Sequence, residues 1–283
     1  MAVLLHGDCL EVMKTLPDKS VDLFLCDLPY GCLAQEPRLV ANPTNQHRPG
    51  YAPTERKGCA WDIPIDLNAF WIQVERLMKD DHTPIIHFCN TKFGYELIKS
   101  KESWFRYDLV WNKLRGVSFL LANKMPMKSH ENIYVFAKKG ARYYRKDVEG
   151  KPYFKKSKGH TNDQYGVTRV EGDNKGTRCV LSVIDTYNTA GHNGGKHPTQ
   201  KPEDLYAWLI ERYSKEGDTI LDATAGSFTS VFTAETLGRK GIGIEKNKEF
   251  YDKAVSHHQN SHTPHHRSLE GVPSQSCATA SPQ

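Results

Sequence analysis

Apolar residues fall into two rhythms along the chain. Ala2–Leu5 (AVLL) reads as a short strand followed by a helix to Leu16, and Val21–Cys26 is a near-continuous apolar run, as in a strand covered on both faces. Helical spacing appears over Leu67–Met78 and Phe93–Lys99, and strand-like runs cover Thr83–Cys89, Phe105–Trp111 and Ile133–Ala137. Residues 32–60, centred on PTNQHRPGYAPTERKG, carry no period and predict a long loop, functional or disordered. Periodicity stops again over 138–196, where Tyr143, Tyr144, Tyr153, Phe154 and Tyr165 interleave with polar residues. It returns at Pro202: a helix over Leu205–Tyr213, a strand over Thr219–Asp222, a helix over Phe228–Leu237, a strand over Gly241–Glu245, and a last helix fading near His258. Strands alternating with helices predict an α/β protein with a mostly parallel sheet and helices on both faces. The pattern predicts one domain over 1–259, with an inserted region at 138–196. Residues 260–283, rich in Ser, Pro, His and Thr, predict a disordered tail.

Charge adds a second feature. The formal net charge is +5 over 283 residues. Nine Lys and four Arg against six acids between Lys138 and Lys196 give that segment +7, which leaves −2 for the rest. So concentrated a basic excess is how a footprint for phosphates looks. No apolar run approaches the ~20 residues of a membrane span. The opening MAVLLHGD has no basic region ahead of its apolar stretch, so a cytoplasmic protein is expected. The seven cysteines form no C-x-x-C pair, which favours reduced thiols over a disulfide or zinc framework. Histidines 257, 258, 262, 265 and 266 sit in polar surroundings, and no metal site is expected of them.

Two stretches carry candidate chemistry. In DTILDATAGSFTSVFTAETLGRKGIGIEKN, a strand ends in Asp222, a turn holds Gly226, and a second strand ends in Glu245, 23 residues after Asp222. An acid so placed can hydrogen-bond ribose hydroxyls. One glycine in place of three disfavours a pyrophosphate and favours a nucleoside without phosphates, such as S-adenosylmethionine; a plain tight turn is the other reading. The second stretch is DLPYG, closing the Val21–Cys26 run. Asp27 can accept a hydrogen bond from an amino group. The carbonyl of Leu28, held extended by Pro29, can accept another, and Tyr30 offers a face for a base. Two acceptors and a ring describe a pocket for the exocyclic amine of a nucleobase.

DLPYG resembles the Asp-Pro-Pro-Tyr motif of amino-group DNA methyltransferases. GDCLEVMKTLPDKSVDLFLCDLPYG, KSHENIYVFAKK at 128–139 and HPTQKPEDLYAWLIERYSKEGDTILDATAGSFTS are also similar to that family. The order, catalytic stretch before cofactor stretch, matches the β-class of N6-adenine and N4-cytosine enzymes. The resemblance implies a Rossmann-like methyltransferase fold with a mostly parallel seven-stranded sheet, and S-adenosylmethionine as cofactor. It implies that Asp27, Leu28, Pro29 and Tyr30 hold a flipped base. It also places Asp222, Ala223, Gly226 and Ser227 around the methionine part of the cofactor, and Glu245 on the ribose. Asp8 and Cys9 then contact the adenine, while His197, Thr199 and Lys201 flank the carboxylate. Leu28 stands where the motif has its first proline, and Phe228 where the cofactor turn usually has a second glycine.

The expected activity is methylation of adenine N6 in a specific duplex DNA sequence, in the cytoplasm of a bacterium or phage-infected cell. The alternatives are N4-cytosine methylation, an inactive DNA-binding relative, or methylation of RNA or of a protein glutamine. Lys155, Lys156 and Lys158 are the expected phosphate contacts, with 138–196 and 32–60 forming the target-recognition region. Expected partners are double-stranded DNA, a second copy in a homodimer and a cognate restriction endonuclease, with no membrane.

Overall fold

The computed structural model describes residues 1–31, 38–40, 54–56, 62–117, 119, 122–156, 160–162, 166–168, 171–186 and 200–262. Its frame is one sheet whose strands are β1 (Ala2–His6), β2 (Leu23–Cys26), β3 (Ile85–Cys89), β4 (Phe105–Val117), β5 (Lys128–Phe136), β6 (Val183–Asp185), β7 (Thr219–Asp222) and β8 (Lys240–Glu245). Their order is β1-β8-β7-β2-β3-β5-β4-β6. Every neighbouring pair is parallel except the two that β5 makes, with β3 and with β4. The described sheet thus has eight strands where seven were expected. The extra one, β6, is a three-residue edge strand too short to show a period, and of its residues only Ile184 is buried.

Strand β2 shows why the sheet sits at the centre. All of LFLC is buried. Phe24 and Cys26 join the core under α1 (Cys9–Lys14), α2 (Leu67–Leu77) and α3 (Thr91–Ser100), whereas Leu23 and Leu25 join the core on the opposite face, under α4 (Glu203–Tyr213). Strand geometry turns successive side chains to opposite faces, so a strand with helices on both sides must be apolar throughout. A smaller cluster seats α5 (Thr229–Thr236) and α6 (Lys248–His262) against β1. Each buried Leu or Phe contributes ~1.5–3 kcal/mol.

Capping side chains fix where the helices begin at the carboxyl edge of the sheet. Asp8 accepts from Leu10 N at 3.0 Å, Asp66 from Asn68 N at 2.8 Å, and Asn90 from Phe93 N at 2.9 Å. Such caps satisfy amides that have no partner within the helix.

The two segments read as loops contain antiparallel ladders among their described residues. Arg38–Val40 pairs with Thr54–Arg56. Val148–Glu149 pairs with Thr177–Arg178, Tyr153–Lys156 with Glu171–Asn174, and His160–Asn162 with Gly166–Thr168, three ladders nested in sequence. They escape a hydrophobic-period reading because their strands run only two to four residues; all of Tyr153–Lys156 is exposed. Helix α6 runs to His262, past the expected end of the domain at 259, and most of the expected tail lies outside the described residues. Among the described residues no helix is long and apolar enough to cross a membrane, and no group of His, Cys, Asp or Glu could hold a metal ion.

Candidate active site

Strand β2 delivers Asp27 to the carboxyl edge, and the next three residues form a tight corner. Leu28 is buried and anchors it. The Tyr30 hydroxyl donates to Asp27 Oδ1 at 2.6 Å, and the Tyr30 ring stacks on Phe93 with centroids 5.1 Å apart. Gly31 closes the corner at φ 68°, donating its N–H to Asp62 Oδ1 at 2.9 Å. A Cβ there would meet Pro64 at 2.5 Å, so only glycine fits.

The other oxygen of Asp27 accepts from Lys201 Nζ. Lys201 also lies 3.4 Å from Glu131 Oε2, and Glu131 Oε1 accepts from Lys113 Nζ. Asp27, Lys201, Glu131 and Lys113 therefore form a row of alternating charge, in which both lysines are buried. Burial opposes the charge on Lys201, but Asp27 and Glu131 outweigh it and raise the lysine pKa. Burial likewise opposes ionisation of Glu131, and the two lysines reverse the balance and hold its carboxyl below the usual range. Opposite charges a few Å apart outweigh desolvation only when the geometry is this close.

The facing wall is the turn after β7. The Thr224 hydroxyl donates to the Asp27 carbonyl at 3.0 Å and ties the two turns together. Gly226 sits at φ 53° and donates its N–H to Glu245 Oε2 at 2.9 Å, while Glu245 Oε1 accepts from Asn247 N at 2.6 Å. Burial pushes the Glu245 carboxyl above its usual range despite these amides. Phe228, at the expected glycine position, takes a left-handed φ of 59° and is fully buried. Its ring lies where a side chain on β8 would go, 2.6 Å from a Cβ built on Gly243. Asp222 lies beneath the turn, accepting from Thr224 N at 3.1 Å and from the Ser230 hydroxyl; burial pushes its pKa up to about 7. Asp8 accepts from Lys246 Nζ at 3.0 Å, and burial raises the Cys9 thiol to about 11.

These walls enclose one cavity of about 840 Å³. It is lined by Asp8, Cys9, Asp27, Leu28, Pro29, Tyr30, Lys201, Ala223, Gly226, Ser227 and Glu245, so eleven of the expected site residues come together. Asp222 supports the wall from behind and does not line it. His197, Thr199 and Lys158 lie outside the described residues. Lys155 and Lys156 sit on the exposed ladder and are not among the cavity lining. Lys201, expected beside a cofactor carboxylate, has its ammonium on Asp27 and Glu131.

Sequence reading assigned no role to Lys113, Glu131, Tyr206 or Gln200, all of which line the cavity; Asp62 also lines it and accepts from Gly31 N. Glu131 was visible only as one letter of KSHENIYVF; its partners are Lys113 on the neighbouring strand β4 and Lys201 just ahead of α4. Phe93 and Trp111 are both largely buried, yet Phe93 supports Tyr30 and Trp111 lines the cavity.

An open, mostly parallel sheet with the Asp27–Tyr30 corner facing the Gly226–Glu245 turn across one cavity at its carboxyl edge is the architecture of an α/β methyltransferase. A family model described as DNA methylase, of the N6/N4 type, matches residues 21–256, and the chain belongs to that family. The chain is 27% identical over 262 residues to the type II methyltransferase M.HinfI of Haemophilus influenzae, covering 89% of this chain and 66% of that protein. It is 25% identical over 257 residues to the type II methyltransferase M.HpaI of Haemophilus parainfluenzae, covering 89% and 72%. The chain thus spans about two thirds of the first relative's length. Among solved structures, the M1.HpyAVI complex with S-adenosylmethionine superposes with a TM-score of 0.56 at 20% identity, over 90% of this chain and 98% of that one. The cytosine-N4-specific PvuII DNA methyltransferase superposes with a TM-score of 0.58 at 15% identity, over 89% and 84%. The family's methyl donor is S-adenosylmethionine.

Proposed function

We propose that this chain methylates the exocyclic N6 amine of adenine within a specific duplex DNA sequence, using S-adenosylmethionine. The observation that carries this reading is the Asp27–Tyr30 corner facing the Gly226–Glu245 turn across one cavity. The residues present fit the cofactor. Glu245 is a partly buried carboxylate whose pKa burial raises, and it lines the cavity where ribose hydroxyls could donate to it. Asp222, poised near neutrality, suits a ligand bearing positive charge. When bound, the cofactor supplies an electrophilic methyl group on a sulfonium sulfur.

The chain's own residues do the rest. The amine is a poor nucleophile because its lone pair is delocalised into the ring. The Asp27 carboxylate and the Leu28 carbonyl accept its two hydrogens and draw that lone pair back onto nitrogen. Tyr30, backed by Phe93, gives the ring a surface to lie on. Asp27 is already held by Tyr30 and Lys201, so its acceptor is in place before the reaction begins. An amine paired inside a duplex cannot reach such a cavity, so the base must leave the stack.

Tyrosine at the end of DLPY supports adenine, and N4 of cytosine is the alternative amine. The type II names of the relatives support a companion restriction endonuclease in the cytoplasm of a bacterium or phage-infected cell. A homodimer rests on the resemblance alone. Residues 138–196, with 32–60, are proposed to read the target. Replacing Lys155, Lys156 and Lys158 by alanine should flatten the salt dependence of DNA binding by ~0.9 in log–log slope per lost contact. An unaltered slope removes them from the interface.

The deciding experiment incubates the purified chain with unmethylated mixed-sequence DNA and labelled cofactor, then separates the nucleosides by mass spectrometry. N6-methyladenine is expected. N4-methylcytosine would move the assignment to cytosine. Cofactor binding without methyl transfer to any DNA would make the chain an inactive relative.

A further inference from the structure

Strands β4 and β5 continue past the carboxyl edge of the sheet as an arm. Cys89, the last residue of β3, pairs with Asn132, so everything from Glu131 back to Lys128 extends beyond β3. The arm is bent at its root. The pairing jumps from Asn112 opposite His130 to Val117 opposite Lys128, so β4 holds three more residues than β5 in that stretch. Leu114 absorbs the excess at φ 54°, a conformation bulky residues avoid, and its N–H donates to Asn112 Oδ1 at 3.2 Å. Past the bend, Met127 lies across the cross-strand Gly116, where a Cβ would meet it at 2.9 Å. The base of the arm is therefore a built element.

Its surface departs from an ordinary solvated hairpin in two ways. Leu114, Phe119, Met125 and Met127 are 43%, 69%, 53% and 39% exposed. Between Lys113 and Lys128 the sequence holds four basic residues and no acid. Large exposed apolar side chains gathered on one element mark an interaction site. Its root is continuous with the cavity, because Trp111, Lys113, Lys128 and Glu131 line it.

Resting on the DNA-methylating reading above, we propose that this arm grips duplex DNA at the mouth of the cavity. The cations meet phosphates, and Phe119 with Met125 cover the step that the extruded base leaves unstacked. Apolar side chains placed at opened base steps stabilise distorted duplex in this way. A second copy of the chain is the other occupant such a patch could take. In a two-fold dimer the patch would face its own image, setting Lys124 and Lys128 against like charges. A polyanion has no such conflict.

Two variants test the arm, both at exposed positions. Arg115→Ala with Lys124→Ala should flatten the log–log salt slope of binding to mixed-sequence duplex by about 1.8, at ~0.9 per contact. Phe119→Ser with Met125→Ser should weaken duplex binding and methyl transfer about tenfold while leaving the salt slope and cofactor affinity unchanged. An unaltered slope in the first variant, or unaltered duplex affinity in the second, overturns the proposal. So does a dimer-to-monomer change in sedimentation of the second variant, which would assign the patch to a second copy. A wild-type chain that binds cofactor but methylates no DNA defeats the functional reading, and the arm with it. An active wild type with indifferent variants defeats the arm alone.

Discussion

The ammonium of Lys201 is bonded to the carboxylate of Asp27, across 174 residues of sequence. The lysine belongs to HPTQK and the aspartate to DLPYG, so the two most distinctive stretches of the chain meet in one ion pair. Replacing Lys201 by methionine leaves Asp27 and Glu131 facing each other without the cation between them. Breaking a buried pair in this way costs ~3–5 kcal/mol. We expect turnover to fall at least about a hundredfold. The acid limb of the pH–rate profile should move to higher pH, because two carboxylates deprived of a cation hold their protons longer. Lys201→Arg should restore the position of that limb. A profile that does not move would show that Lys201 acts only on stability.

Asp27→Asn keeps the shape of the corner but replaces one acceptor oxygen with an amide that donates. We expect methyl transfer to fall ~10²–10³-fold, the range for losing one preorganised partner of a transition state. Cofactor affinity, measured by calorimetry, should stay within about twofold. Near-normal turnover would remove Asp27 from the reaction.

Glu245→Ala should weaken S-adenosylmethionine binding. Hydrogen bonds to a charged group contribute ~1.5–3 kcal/mol, which is about ten- to a hundredfold in affinity. The Gly226 amide also loses its acceptor, so circular dichroism and a melting curve must accompany the titration. Unchanged affinity with an intact fold would contradict the ribose assignment.

Asp222 makes stability depend on pH. Its carboxyl titrates at about 7 in the folded chain because burial disfavours the charge. In the unfolded chain it titrates at ~3.9. Between those values the folded state holds a proton that the unfolded state has lost. The stabilisation is therefore complete below about pH 4 and is lost as pH rises through 7. Asp222→Asn should flatten this part of the curve in denaturant melts at pH 5 and 7.5. In the parent chain, affinity for the positively charged cofactor should rise over the same interval.

His87 has the opposite sign. It is fully buried among Phe70, Trp71 and Phe136, and neither ring nitrogen makes a well-formed hydrogen bond among the described residues. Burial pushes its pKa down to about 3, against a weaker pull from the Cys26 backbone. The unfolded value is ~6.5, so its contribution is complete above that pH and is lost as pH falls towards 3. His87→Phe should remove this acid sensitivity in melts at pH 4 and 7, with no change in methyl transfer. A variant as acid-labile as the parent would show that other groups set the slope.

What sequence could and could not reveal follows from where the information lies. The apolar run Val21–Cys26 and the acids Asp27, Asp222 and Glu245 that close three strands are local, and the structure places them at the sheet centre and its carboxyl edge as expected. Glu131 was not legible, because its meaning depends on Lys113 arriving from β4 and Lys201 from the segment ahead of α4. Leu114 looks like any strand leucine until the register slip beside it is known. The nested ladders within 138–196 are built from strands of two to four residues, too short to imprint a period.

Phe228 and Gly243 share one volume: the ring occupies the space that the glycine on the neighbouring strand leaves open. Neither position can then drift alone. A glycine at 228 would relieve the left-handed backbone, worth ~1–2 kcal/mol, but would open a void the size of a benzene ring beneath the cofactor turn. A side chain at 243 would collide with the ring. Across descendants of this sequence the two sites should change as a couple, large with small or small with large. An alignment of its relatives could therefore reveal the contact as covariation without any coordinates.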